Sequence, residues 1–205
     1  MKSELFVPYP SCHHLMKTGD VVMFSGADLP ATVVKAVTRS VYVHAAIVLS
    51  SRQSETPDCS VIIAESHVDC SLPSLGTGHR IIGVQHQWLD RRLEKSQGPV
   101  WWVPLKSPLA SDQRQRMQVW LKEIEAKQIP YDFGQVAGSA IDIGDELGLE
   151  NTPNVSALFC SELVTHALQL AGVVNLHINP AEQVPADIIQ FDCFLPPILI
   201  KSHSV

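Results

Sequence analysis

At 205 residues, 45% of them hydrophobic, the chain is long enough to bury a full core, and no linker-like run divides it, so a single domain over residues 1–205 is expected. A formal net charge of −6, with basic residues scattered apart from Arg91-Arg92, argues against nucleic acid as a partner; Cys12, Cys59, Cys70, Cys160 and Cys193 form no Cys-x-x-Cys pair and leave an odd count, against a disulfide framework or a zinc site. The N-terminus lacks the apolar core of a signal peptide and no run approaches a membrane span, so a cytoplasmic protein is the default expectation, with signal-independent export left open.

In chain order, Lys17-Thr18-Gly19-Asp20 reads as a turn feeding a strand over Val21 to Phe24. Pro30 opens a candidate helix that runs to about Val37. Val41 to Leu49 and Val61 to Ser66 are the strongest strand signals; the polar insert between them suggests an antiparallel pair, and both runs are too apolar to have a wet face. A strand over Arg80 to Val84, a short helix over Gln87 to Arg92 and a strand over Val100 to Val103 follow. Met117, Trp120, Leu121 and Ile124 recur at helical spacing within Ser111 to Lys127. Pro130-Tyr131-Asp132-Phe133 breaks that helix, and the glycine-rich, acidic stretch from Gly134 to Asn154 reads as part helix, part loop facing substrate. Pro185 opens one more short helix, and the tail from Phe194 to Ile200 is expected to pack or pair at an edge. The pattern is that of an α+β domain with a central antiparallel sheet.

The chemistry centres on Leu158 to Gly172. Leu163, Val164, Ala167, Leu168 and Ala171 trace one helix face, and Gly172 stands where a terminating glycine belongs. Cys160 is thereby placed in the first helical turn, where unpaired N–H groups and the positive end of the helix dipole favour a thiolate. The alternative is a cysteine packed as a small hydrophobe. A thiol nucleophile needs a base, and His44 interrupts an otherwise apolar strand; Glu65 interrupts the neighbouring one. The two explain each other if they hydrogen-bond, whether as base and orienting group or as a buried structural pair. His67 shares the parity of Glu65 and stands in reserve for the orienting role.

The runs Gly19 to Phe24, Ser40 to Val48, Ile62 to Glu65, Pro130 to Phe133 and Phe159 to Val164, taken in that order, resemble the circularly permuted branch of the NlpC/P60 papain-like thiol hydrolases, in particular its YiiX-like group, and more distantly the lecithin retinol acyltransferase-like enzymes. The resemblance implies a permuted papain-like fold with the nucleophile helix packed on the sheet. It makes Cys160 the nucleophile, His44 the general base and acid and Glu65 the third member, a place that a second histidine takes in the acyltransferase-like relatives. The backbone N–H of Cys160 is then expected to meet the oxyanion at its helix N-terminus. Tyr42, two residues before His44, is a candidate oxyanion or substrate donor, with a core aromatic as the alternative. Asp20 and Asp132 read as turn and capping residues, and Glu162 as a solvated or capping position.

The reaction so implied is thiolate attack on an ester or amide through a thioester acyl-enzyme, by a hydrolase or acyltransferase that calls for no metal or organic cofactor. Acyl-lipid or phospholipid substrates are favoured, with peripheral membrane contact made through the substrate; Trp101-Trp102, Phe159 and the Phe194 to Ile200 tail are candidate walls of an apolar trough. A peptidase or amidase on peptidoglycan-type peptides would want charged grips, and only Arg39 lies near the three site residues in sequence. A catalytically idle binding module of the same fold is the third class. The sequence leaves the oligomeric state open.

Overall fold

The computed structural model describes residues 5–26, 40–52, 54–128 and 154–202, with side chains of the last segment from Cys160 onward. The candidate helix after Pro30, Arg39, the Pro130 to Phe133 break with Asp132, the stretch from Gly134 to Pro153 and the side chain of Phe159 lie outside the described residues.

Six strands form one sheet: β1 (Val21–Phe24), β2 (His44–Ser51), β3 (Val61–His67), β4 (Gly83–Trp88), β5 (Val100–Val103) and β6 (Ile198–Lys201). Their order is β4-β3-β2-β1-β5-β6, and every neighbouring pair is antiparallel. The protein is therefore α+β, and the tail pairs at the sheet edge through β6 as its apolar pattern predicts.

Because successive residues of a strand face opposite ways, the all-apolar strands serve two cores. Val21, Met23, Ala45, Ile47 and Leu49 join Met117, Leu121, Leu163, Val164 and Leu168 on one face. Val22, Phe24, Ala46, Val48 and Ile63 join Tyr9, Cys12, Met16, Leu89 and Leu93 on the other. Each large aliphatic side chain taken fully out of water contributes about 1.5–3 kcal/mol. The first face is covered by two long helices, α3 (Ser111–Ala126) and α4 (Asn154–Leu170), and the second by the short α1 (Tyr9–Cys12) and α2 (Leu89–Lys95). The short helix opened by Pro185 is α5 (Pro185–Ile188).

Three boundaries differ from the pattern in the sequence. β2 begins at His44 rather than Val41, so Tyr42 precedes the strand and does not share a face with His44 by alternation. The predicted strand over Arg80 to Val84 and helix over Gln87 to Arg92 are displaced to β4 and α2, because Gln85, His86 and Gln87 are polar yet buried in the strand. Several of their polar atoms are met internally: Gln85 Nε2 donates to the Asp69 carbonyl at 3.1 Å, Gln87 Nε2 to Gln85 Oε1 at 2.9 Å, and His86 Nδ1 lies 2.8 Å from Glu125 Oε2, while His86 Nε2 is buried without a hydrogen bond among the described residues. Finally, α4 is already helical at Asn154, so Cys160 sits in its second turn and not its first. Pro153 is the nearest breaker upstream, and nothing between Asn154 and Phe159 resists the helix. The far end is as expected: Gly172 has φ +73°, the Gly172 N–H donates to the Gln169 carbonyl at 2.8 Å and the Val173 N–H to the Leu168 carbonyl at 3.1 Å, the double closure of a Schellman motif.

Candidate functional site

His44 opens β2 opposite Phe24, and the β2/β3/β4 register carries on from that strand end to His67, the last residue of β3, which faces Gly83. Glu65 lies two residues before His67 on the same face of β3. The site thus assembles where β2 starts and β3 stops.

His44 Nε2 and Glu65 Oε2 are 2.7 Å apart, with the carboxylate 1% and the histidine 7% exposed. The pair that strand interruption points to is therefore made. His44 also interacts with Cys160, by charge and through a side-chain hydrogen bond. Burial pushes His44 down, but its charge and hydrogen-bond interactions with Cys160, then those with Glu65, prevail and raise its pKa to about 9. Burial raises Glu65, yet the Arg92 charge and the His44 contacts hold it far below the usual carboxylate range. The imidazole is thus set between a thiol and an ionised carboxylate.

His67 does not take the orienting place. Its ring stands edge-on to that of His44, with centroids 4.5 Å apart and an interplanar angle of 88°, and its Nδ1 accepts the Asp69 backbone N–H at 2.7 Å. Burial, with the His44 charge next, lowers its pKa to about 3, so it is a neutral neighbour.

Sequence reasoning missed Arg92. It is buried on α2, with Nε 2.7 Å from Glu65 Oε1 in a charge contact whose N–H is not aligned as a hydrogen bond, and Nη1 3.6 Å from Asp69 Oδ2. Its guanidinium also lies over the Phe24 ring, 5.6 Å from the centroid. The signal was available: Arg92 follows Leu89 by three residues and precedes Leu93, so it occupies the buried stripe of a short helix.

Other expectations are corrected here. The Cys160 N–H lies beyond the four free donors at a helix N-terminus, so it is not a ready oxyanion donor, and the first-turn argument for the thiolate lapses with it. Tyr42, partly buried, packs its ring against Trp101, centroids 5.0 Å apart, beside the core of the first face, a contact that leaves its proposed donor role untouched. Trp101 and Trp102 face opposite sides of the sheet, one in each core, and Phe194 is buried, so none of the three walls an open trough. Glu162 is buried rather than solvated. Asp20 is structural, as expected of a turn residue: buried, it accepts the Lys17 N–H at 2.9 Å, the Trp102 Nε1–H at 2.8 Å and the Leu105 N–H at 2.9 Å.

Among the described residues, no three His, Cys, Asp or Glu side chains converge as a metal ion would require, and no helix is long and apolar enough to cross a membrane. No family model and no curated protein matches the chain. Among solved structures, the crystal structure of metalloprotein YiiX from Escherichia coli O157:H7, of family DUF1105, is similar at a TM-score of 0.55 and 12% identity, over 91% of this chain and 98% of that one. At that identity the likeness is one of fold, a YiiX-like α+β architecture around an antiparallel sheet.

Proposed function

We propose that the chain is a cysteine-dependent hydrolase or acyltransferase of permuted papain-like, NlpC/P60-type build, with Cys160 as nucleophile, His44 as base and acid, and Glu65 as the group that orients His44. The observation that carries this is the single imidazole held between the thiol and an ionised carboxylate, with Nε2 2.7 Å from Glu65. With the thiol proton held on His44, the Cys160 sulfur forms a bond to the substrate carbonyl carbon. The resulting oxyanion collapses, the carbon–oxygen or carbon–nitrogen bond breaks, and His44 returns the proton to the departing alcohol or amine. Water, or an acceptor hydroxyl or amine, then repeats the sequence on the thioester and frees Cys160.

An aliphatic acyl group remains the favoured substrate, on grounds other than the tryptophans. Val41, Val68 and Ile82 are 52%, 43% and 55% exposed, and they flank the strand ends that carry His44, His67 and Gly83. That apolar rim suits an acyl chain presented from a lipid aggregate, and the net charge of −6 favours zwitterionic over anionic headgroups. A second reading, an idle binding module, draws on one observation: Cys160 is fully buried and inside a helix.

The test is incubation of the protein with phosphatidylcholine vesicles and, separately, with muropeptides, following released fatty acid, released amino acids and the intact mass of the chain. Fatty-acid release with an acyl adduct mapped to Cys160 is the expected result. Cys160-dependent peptide cleavage alone moves the reading to the peptidase class. Inactivity on both, together with iodoacetamide labelling of the exposed Cys59 and Cys70 while Cys160 stays untouched, selects the binding module.

A further inference from the structure

Beyond the three residues that touch one another at the thiol, a fourth side chain closes the constellation from behind. We propose that Arg92 is a positioning residue of the site, fixing Glu65 in place and in its ionised form so that the carboxylate, and through it the His44 ring, keeps one orientation.

The geometry is specific. Glu65 has two oxygens and each has one partner: Oε2 meets His44 Nε2 and Oε1 meets Arg92 Nε, both at 2.7 Å. A carboxylate hydrogen-bonded at one oxygen and set against a cation at the other resists turning about its terminal bond. Arg92 is itself held at three points, by Glu65, by Asp69 Oδ2 at 3.6 Å and by the Phe24 ring, whose strand partner is His44. At 8% exposure it is too enclosed to serve as a substrate clamp. A guanidinium buried beside a carboxylate is stable only because each neutralises the other, so its place behind the pair is one of balance. The Arg92 charge is the strongest influence holding Glu65 ionised against burial, and it also disfavours a proton on His67. Without a cation there, Glu65 would be a buried carboxylate facing a partly charged imidazole, and it would take up a proton far more readily.

The groups facing this cluster are His44 from β2, Glu65 and His67 from β3, Asp69 from the following loop, Arg92 from α2 and Cys160 from α4. The inference rests on the proposed thiol chemistry for its catalytic consequence, but not for its electrostatic one, and the experiment separates them. The ring resonances of His44 and His67 are titrated by NMR in the wild-type chain, Arg92→Lys and Arg92→Met, and in parallel the pH profile of turnover is recorded. Arg92→Met is expected to let His67 protonate at higher pH, to move the acid limb of the turnover profile to higher pH, and to lower kcat at least tenfold with KM little changed. Arg92→Lys, which keeps a charge but not the fork, is expected to keep the acid limb while recovering part of kcat. Where Arg92→Met does not fold, Arg92→Lys and the double variant Glu65→Gln/Arg92→Met carry the test, because with a neutral residue 65 the arginine has nothing left to ionise and its loss should cost no further activity. Histidine titrations unchanged by either substitution, or a double variant whose loss is the product of the single losses, overturn the proposal. Shifted titrations in a protein with no Cys160-dependent turnover leave Arg92 in its electrostatic role and overturn only the reading of the reaction.

Discussion

At the scale of single residues, the site is a chain of mutual dependence, and its variants should not add. Cys160→Ala and His44→Ala are each expected to lower turnover by at least a thousandfold, with the double variant little worse than either, whereas Glu65→Gln keeps measurable activity because an amide still reaches Nε2. Steady-state rates of the four proteins decide it; multiplicative losses would mean that the residues do not act as a unit. The same shifts make stability depend on pH with a definite sign. His44 is raised from 6.5 to about 9, so its contribution is complete below pH 6.5 and is lost as pH climbs to about 9. His67 is lowered from 6.5 to about 3, so the unfolded chain binds the extra proton and stability falls as pH drops below 6.5; Glu65, held below its ordinary 4.5, adds to that loss at lower pH. Together they place maximal stability near pH 6.5. Thermal unfolding of the wild type and His67→Gln across pH 4 to 9 checks this, since the variant should show a smaller acid-side decline between pH 6.5 and 4.5, the remainder coming from His166, which burial also lowers, but retain the alkaline one. His44 and Glu65 were legible because a polar residue in an apolar strand needs an explanation. Arg92 is less legible, because a basic residue on a helix ordinarily faces water.

At the scale of elements, the apolar strands and the two long helices follow from periodicity alone, and β4 does not. Its core residues Gln85, His86 and Gln87 carry no alternation to detect, and the strand holds by polar contacts instead. Glu125 of α3 anchors it. This buried carboxylate accepts bonds from the Ser74 hydroxyl, from the Gly76 N–H at 3.2 Å and from the His86 N–H at 3.3 Å on Oε1, while Oε2 meets His86 Nδ1 at 2.8 Å. Burial raises Glu125, but the His86 and Ser74 bonds hold it below its usual range. Gly76 is what allows so close an approach, because a Cβ there would lie 1.8 Å from Oε2. Gly76→Ala is therefore expected to destabilise by about 2–3 kcal/mol, the cost of stripping donors from a buried charge, measured by denaturant unfolding. Gly78→Ala is the control: its Cβ meets nothing within 4 Å, and only the φ of +70° opposes it, at about 1–2 kcal/mol. Equal effects at both positions would remove the cradle from the account. The start of α4 escapes the apolar periodicity for a different reason. A helix is stopped by what breaks it, and no breaker stands between Pro153 and Cys160.

At the scale of the whole molecule, the sheet order β4-β3-β2-β1-β5-β6 joins two kinds of partnership. β1 to β4 pair strictly with their neighbours in the chain, whereas β5 crosses over to the far side of β1, and β6 arrives from the C-terminal end to lie beside it. His44, Glu65 and Arg92 all belong to the first part, encoded within the first 100 residues, and Cys160 to a helix made much later. During synthesis these three residues therefore emerge before the sulfur does, while α3 and α4, which cover one face of the sheet, are still to be made. On the proposed reading, the centre is complete only when α4 docks on the sheet. For the proposed thiol chemistry, completing the fold and completing the reactive centre are then one event.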